Sequence, residues 1–92
     1  MATLYITEYA QGDAQCAKEP PVAEQTLAIG AEVSSTAFNQ FTRLVRLHAD
    51  AICSVKFGQA PVATTANRRM AASVTEYFAV ESGLKVSVIA NT

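Results

Sequence analysis

Apolar and polar residues alternate over several stretches of this chain, and this pattern predicts β-strands. Residues 3–10 (TLYITEYA) alternate and are rich in Thr, Tyr and Ile, so they are predicted to form the first strand. Glu8 lies on one side of this strand, and Tyr5 and Tyr9 lie on the other. Because a carboxylate is costly to bury without a partner, we expect the tyrosine side to be the more buried one. The reverse orientation would apply if the strand lay against a neighbour.

The central stretch, residues 43–58 (RLVRLHADAICSVKFG), fits two patterns. One is a helical stripe formed by Phe38, Phe41, Val45, His48 and Ile52. The other is alternation, which accounts for more of the apolar residues and predicts two strands joined by a turn or bulge near Asp50. We therefore interpret the stretch as two core strands. The segment before it, residues 31–42, is predicted to be an extended connection that places Phe38 and Phe41 in the core.

The C-terminal stretch contains two further alternating segments, residues 74–80 (VTEYFAV) and 84–90 (LKVSVIA). The tight-turn sequence ESG separates them, so the two segments are predicted to form a β-hairpin. We expect the last strand to be an edge or sheet-pairing strand.

Two irregular segments separate the predicted strands. Residues 11–25 and 58–73 are predicted to be long loops, and a short strand at 26–30 follows the first of them. Within the second loop, residues 66–72 (ANRRMAA) fit either a helical turn or a short strand. Residues 1–92 are therefore predicted to form a single all-β domain, a small antiparallel β-sandwich or barrel of about six or seven strands.

Composition narrows the possible functions. Half of the residues are hydrophobic, only 16% are charged, and the net charge is −1. The chain lacks both the cationic surplus of a nucleic-acid-binding protein and the apolar run of a membrane span. No basic region precedes an apolar segment at its start, so we expect no signal peptide and a product that begins in a cytoplasm. The low charge indicates that other subunits cover part of the surface.

No motif for catalysis, metal binding or cofactor binding stands out, so we expect a non-enzymatic protein with none of these sites. The one histidine, His48, and Cys53 fall on opposite faces of separate predicted strands, which does not suit a nucleophile pair. A set of Ser54, His48 and Asp50 lacks any accompanying motif. Cys16 and Cys53 are interpreted as two free thiols, with a disulfide as the alternative.

The candidate contact residues are arginines and prolines. Arg68 and Arg69 follow Asn67 in a loop with small neighbours, and arginine is enriched at protein interfaces. We predict an interface anchor there, with a solvated pair as the alternative. The same role is predicted for residues within the first loop and on the central stretch: Pro20, Pro21, Arg43 and Arg46.

Most of the chain also resembles a known family. The runs ICSVKFGQAPVATTANRRMAASVTEYFAV and KVSVIANT, together with TLYITEYA at the start, resemble small virion proteins encoded among the head genes of tailed bacteriophages and prophages. The most telling pieces are CSVKFG, ATTANRRMAA, TEYF and VSVIA, and none of them is a catalytic signature. The family is similar in kind to capsid decoration, or cement, proteins, which sit outside an icosahedral shell and bridge its capsomers.

The resemblance implies a structural role in a virion assembled in a bacterial cytoplasm. Its implied partners are the major capsid protein or other virion proteins, and a homo-oligomer (a dimer or trimer) is expected. Loops 11–25 and 58–73 would be the contact segments. Because related small β-domains occur in head fibres and tail accessories, a module for host attachment is the alternative.

Overall fold

The computed structural model describes residues 2–10 and 20–91, and these residues form eight β-strands and no helix. The strands are β1 (Thr3–Tyr9), β2 (Ala23–Ala28), β3 (Val33–Ser34), β4 (Leu44–Ala49), β5 (Cys53–Gly58), β6 (Arg68–Met70), β7 (Val74–Ala79) and β8 (Lys85–Ala90). The all-β prediction is confirmed. Two very short strands, β3 and β6, explain why there are eight strands and not six or seven.

Strands extend into both predicted loops. β2 begins at Ala23, inside the predicted loop 11–25. β6 lies inside the predicted loop 58–73, which decides between the helical turn and the short strand in favour of the strand. Residues 11–19, and the expectation for Cys16 with them, lie outside the described residues.

The strands form two antiparallel sheets of four strands each. Sheet 1 has the order β2-β1-β4-β7, and sheet 2 has the order β3-β8-β5-β6. When the strands are renumbered to start at β2 and end at β1, this order is that of the eight-stranded jelly roll. β1 therefore occupies the place of the last jelly-roll strand, between β2 and β4.

The core lies between the two sheets and consists of the inward side chains of each strand. Its fully buried or nearly fully buried members include Leu4, Ile6, Val45, Leu47, Ala49, Cys53, Val55, Met70, Val86 and Val88. The prediction of two strands on either side of Asp50 is confirmed, since β4 and β5 each present alternate residues to this core. Removal of these aliphatic side chains from water is the dominant stabilising term of such a sandwich.

The expected orientation of β1 is wrong. Glu8 is only 2% exposed and faces the core side with Leu4 and Ile6, whereas Tyr5 faces outward and is 44% exposed; Tyr9, at the end of the strand, is buried. Three donors surround the Glu8 carboxylate: the Asn39 N–H at 2.8 Å, Thr42 Oγ1 at 2.8 Å and Gln25 Nε2 at 3.0 Å. These hydrogen bonds compensate for the lost hydration of the carboxylate, so the charge can lie inside.

The connection before β4 buries one of its two phenylalanines. Phe38 is 3% exposed and belongs to the core, as expected, but Phe41 is 61% exposed. The reason is the turn at residues 39–42, in which the Asn39 side chain accepts a hydrogen bond from the Phe41 N–H and Thr42 turns inward to Glu8. Phe41, which lies between these two residues, is thereby turned to solvent.

The predicted hairpin at residues 74–90 is wrong. β7 pairs with β4 in sheet 1, whereas β8 pairs with β5 and β3 in sheet 2. The turn at 81–83, with Gly83 at φ 83°, therefore carries the chain from one sheet to the other. β8 is an inner strand that pairs on both sides, so of the two expectations for it, an edge or a sheet-pairing strand, the edge is wrong. A tight turn suits either arrangement, and the partners that decide between them lie far earlier in the sequence.

Candidate interaction surface

The outer face of sheet 1 carries a mixed aromatic and polar surface, which we call the tyrosine face. The strand register arranges it in two rows: Thr26, Tyr5, His48 and Thr75 in the first, and Glu24, Thr7, Arg46 and Tyr77 in the second. Tyr5 and Tyr77 are among the most exposed large hydrophobic side chains of the described residues. Tyrosine and arginine are the residue types that protein interfaces prefer, so this face has the composition of a contact surface.

His48 occupies an inner position of the first row. Its Nδ1 atom lies 2.8 Å from Thr75 Oγ1, and its ring centroid lies 6.3 Å from that of Tyr5. Its Nε2 atom is 3.9 Å from the Asp50 carboxylate, which is too long for a hydrogen bond. The imidazole is therefore oriented by one hydroxyl and one ring, and its Nε2 edge can bind a partner group.

A shallow depression lies beside Tyr5. It is lined by residues 5–7 of β1 and 24–26 of β2. The depression gives the otherwise flat sheet a recess next to an exposed aromatic ring, and a partner side chain can pack there.

The outer face of sheet 2 is covered by the chain itself. Residues 59–67 cross it, and the Ala63 N–H donates a hydrogen bond of 2.9 Å to Ser87 Oγ. Asn91 holds the same segment, since its Nδ2 atom donates to Ser54 Oγ at 2.7 Å and to the Thr65 carbonyl at 3.2 Å. Ser54 and Ser87 are consequently buried although they point away from the core.

The second predicted contact loop therefore packs on its own sheet. Its exposed large hydrophobic side chain is Val62, which is 59% exposed. The Pro61 carbonyl accepts a hydrogen bond from Ser34 Oγ, which fixes the start of the segment. The loop can still meet a partner through Val62, whereas its Pro61 and Thr65 carbonyls and its Ala63 N–H are bonded to the rest of the fold.

The six predicted contact residues lie on different sides of the molecule. Arg46 is half-buried on the tyrosine face, while Arg69 is exposed on the outer face of sheet 2, beside Ser54 in the register. Arg43 is exposed at the turn before β4, where its guanidinium donates to the Thr42 carbonyl at 2.9 Å. These three arginines do not form one patch.

The remaining contact candidates lie at two other places. Arg68, on β6, has its guanidinium 5.2 Å from the ring centroid of Phe78 on β7, so it lies over that ring at one side of the sandwich. Pro20 is exposed and Pro21 is half-buried where the chain enters β2. An interface role for any of the six stays a prediction.

The candidate catalytic combinations are not brought together. His48 lies on the outer face of sheet 1, whereas Cys53 lies inside the sandwich on sheet 2, fully buried. Burial raises the pKa of the Cys53 thiol, and the negative charge of Glu76 raises it further, so the thiol stays protonated. Ser54 is held by Asn91 under the loop of sheet 2.

No metal centre is assembled by the described residues: no three His, Cys, Asp or Glu side chains come together in a way that could hold an ion. Across residues 2–10 and 20–91 there is also no helix of the length and apolar character that a membrane crossing requires.

The sequence pattern missed the tyrosine face because it assigned the tyrosines of β1 to the buried side. Thr75, the partner of His48, was also missed, because it lies on a strand whose pairing with β4 could not be foreseen. A signal was present nonetheless, since Tyr77 and Thr75 alternate with Glu76 and Phe78, which marks two distinct sides of β7.

The fold defines an all-β sandwich with one open and one covered sheet face. No protein-family model, curated protein or solved structure matches this chain.

Proposed function

We propose that this chain is a non-enzymatic structural protein of a tailed-phage virion, a decoration or cement protein that binds the head shell and stabilises it through protein–protein contacts. The proposal rests on the resemblance of the CSVKFG, ATTANRRMAA, TEYF and VSVIA segments to small virion proteins. The observation that carries it further is the tyrosine face, an exposed sheet surface with two tyrosines, an arginine and a histidine.

A sheet face suits this role because its side chains are held by backbone pairing and lose little freedom on binding. Tyr5 and Tyr77 can bury aromatic area while their hydroxyl groups keep hydrogen bonds. Arg46, on the central strand between them, can pair with a carboxylate of the shell. Jelly-roll domains also recur in viral capsids.

Repetition adds to the effect of each contact. A shell presents the same site many times, so a modest interface on each copy, on the order of 1,000 Å², can stabilise the particle as a whole. A protein of this kind needs a rigid body and a complementary surface more than it needs a pocket.

The test is binding of the purified protein to mature shells of the phage that encodes it. We expect the wild type to bind, stripped shells to lose heat resistance, and added protein to restore it. Arg46→Glu should weaken binding by about tenfold or more, as loss of a central interface arginine does. Lys56→Glu, the reversal of an exposed positive charge on the outer face of sheet 2, is the matched control and should bind like the wild type. Absence of the chain from purified virions, together with no binding to shells, would refute the proposal.

A tail or head-fibre module for host attachment is the second candidate. It is favoured by the exposed ring of Tyr5 next to the hydrogen-bonding groups of His48 and Thr75, an arrangement on which a sugar ring can stack. Copy number in the virion separates the two candidates. Abundance comparable to the major capsid protein supports decoration, whereas a few copies per particle support the tail or fibre.

A further inference from the structure

Among the described residues, β7 is the one long edge strand whose outer edge is not flanked by another segment of the chain. The edges of sheet 2 are β3 and β6, with two and three residues. β2, the other edge of sheet 1, is flanked by the following segment, because the Thr36 N–H and hydroxyl both donate to the Gln25 side chain at 3.1 Å. β7 has six residues, Val74–Ala79, and pairs with β4 alone.

The backbone of β7 has hydrogen-bonding groups on its outer edge. The Val80 N–H donates to the Arg43 carbonyl at 3.0 Å, directly opposite in the register. In an antiparallel ladder, the backbone groups of alternate residues bond to the same neighbouring strand. The N–H and C=O groups of Val74, Glu76 and Phe78 therefore point towards β4. The N–H and C=O groups of Thr75, Tyr77 and Ala79 point away from it, and among the described residues no hydrogen bond reaches them.

The side chains of this edge do not block an incoming strand of the right charge. β7 contains no proline and no lysine, the residues that commonly protect an edge. Its one charge, Glu76, is half-buried and faces inward, which disfavours an apolar partner but favours a cationic one.

A cation lies at the same side of the sandwich. Arg68 is exposed, and its guanidinium covers the Phe78 ring, one inward position along β7 from Glu76. Neither Arg68 nor Glu76 forms a salt bridge or a hydrogen bond with another described side chain. The edge therefore offers both members of an ion pair, each without a partner of opposite charge.

We propose that the occupant of this edge is a second copy of the chain, joined by antiparallel pairing of β7 with β7 about a two-fold axis through Tyr77. Thr75 then pairs with Ala79 of the other copy, and Tyr77 with its own counterpart. On the inward side, Glu76 of one copy comes opposite Phe78 of the other, within about 5 Å between Cβ atoms. It thereby meets the Arg68 that covers that ring, and symmetry forms the pair twice.

Charge selects this register over its neighbours. A two-residue shift in one direction puts Glu76 opposite Glu76, and a shift in the other puts Phe78 opposite Phe78 with the two Arg68 side chains together. Like charges directly opposite each other are destabilising. A one-residue shift would turn the inward side chains outward. Only the register centred on Tyr77 brings opposite charges together.

The dimer would be a continuous sheet of eight strands, with the tyrosine faces of the two copies side by side. Its strand contact is short compared with the interfaces of tight dimers, so we expect a reversible, concentration-dependent dimer. Dimerisation is measured on the protein alone, so it can fail or succeed independently of the proposed function.

The test is sedimentation of wild-type protein and charge-reversed variants over a wide concentration range. Wild type should dimerise, and Glu76→Arg and Arg68→Glu should each weaken the dimer by about tenfold or more, because each replaces two attractive pairs with two repulsive ones. An equimolar mixture of the two variants should dimerise again, since both pairs are then complementary between unlike chains. An ion pair between residues 68 and 76 of one and the same chain would not respond to mixing, so recovery of the dimer shows that the pairs form between chains.

Two proline variants, one at each edge of sheet 1, test the backbone pairing and serve as a matched pair of test and control. Thr75→Pro removes an outward N–H of β7 and should weaken the dimer, whereas Thr26→Pro, at the other edge of the same row, should not. Circular dichroism melting identifies any variant that fails to fold, and the conclusion then rests on the remaining ones. A wild type that stays monomeric at every concentration overturns the inference. So does a dimer that both charge reversals and Thr75→Pro leave unchanged, or a mixture that stays monomeric.

Discussion

Replacement of Glu8 by glutamine tests the feature that the sequence pattern misjudged. Glu8 Oε1 accepts hydrogen bonds from the Asn39 N–H and from Thr42 Oγ1, and Oε2 accepts one from Gln25 Nε2. The Gln25 amide cannot turn over, because its oxygen accepts from both the N–H and the hydroxyl of Thr36. A glutamine at position 8 can keep its oxygen on the first two donors, but it then places an NH2 group against the NH2 group of Gln25.

The size of the effect follows from these contacts. A buried donor left without an acceptor costs about 1–3 kcal/mol, and the two bonds to Oε1 weaken when the acceptor is neutral. Neutralisation also relieves part of the desolvation of a buried carboxylate, which acts in the opposite direction. We expect a net destabilisation of about 1–2 kcal/mol, or a fall in Tm of roughly 5–15 °C for a chain of this length.

Exchange of the two side chains should restore stability. Gln25→Glu alone puts two carboxylates in contact and should destabilise by about 2 kcal/mol or more. In the double variant Glu8→Gln, Gln25→Glu, the new glutamine at position 8 donates to the new carboxylate at position 25, which still accepts from Thr36. All hydrogen bonds are then regained, so the double variant should be more stable than either single one.

The assay is urea unfolding of the four proteins, followed by circular dichroism and analysed as a double-mutant cycle. Glu24→Gln is the control, because Glu24 is the neighbouring exposed acid on β2, and a change within about 0.5 kcal/mol is expected. Additive single effects, with the double variant the least stable, would refute the reasoning about the orientation of the network.

Three further predictions concern burial. Phe38→Ala should cost about 3–5 kcal/mol and Phe41→Ala no more than about 0.5 kcal/mol, measured by denaturant unfolding; similar costs would contradict the assigned core. In a Cys16→Ser background, Cys53 should react with a thiol reagent only as fast as the fold opens, and rapid labelling of the native protein would disprove its burial. Because its pKa is raised in the fold, Cys53 keeps a proton that the unfolded chain has lost above roughly pH 8.5. The free energy of unfolding should therefore fall as the pH rises beyond that value. The fall should be less steep in Cys53→Ala, as measured by denaturant midpoints.

The strands were predictable because their signal is local. β4 and β5 each show the two-residue alternation within six residues, and Asp50 separates them as the sequence predicts. The same holds for β1, β7 and β8, whose positions agree with the alternating segments to within one residue at each end.

The orientation of β1 was not predictable because it depends on distant residues. The three donors to Glu8 are 17, 31 and 34 residues away in the sequence. A rule that places acids outside is sound for an isolated strand, but it fails where the fold brings enough donors to a carboxylate. The candidate surface was missed for the same reason, since the outward side of Tyr5 follows from the inward side of Glu8.

The pairing of β7 was not predictable, because the turn and the strand that follow it in the sequence suit a hairpin. A short turn ending in Gly83 suits a hairpin, but β8 finds its partners β3 and β5 in the other sheet. Once β1 fills the place between β2 and β4, the remaining side of β4 is open to β7 alone. Sheet order thus decides which strand ends as an edge, and periodicity carries no information about sheet order.

The two sides of the sandwich are closed in different ways, and this difference determines where another strand can be added. On the side of β2 and β3, backbone hydrogen bonds close the gap between the two sheets. The Ile29 N–H donates to the Ala2 carbonyl and the Ala90 N–H to the Gly30 carbonyl, each at 3.0 Å. On the side of β6 and β7, side chains close it, with Arg68 over the Phe78 ring. Side chains that cover the core in this way do not use the backbone groups of the adjacent strand. An edge closed like this keeps its hydrogen-bonding groups available, and a partner strand that extends this sandwich will therefore add to β7.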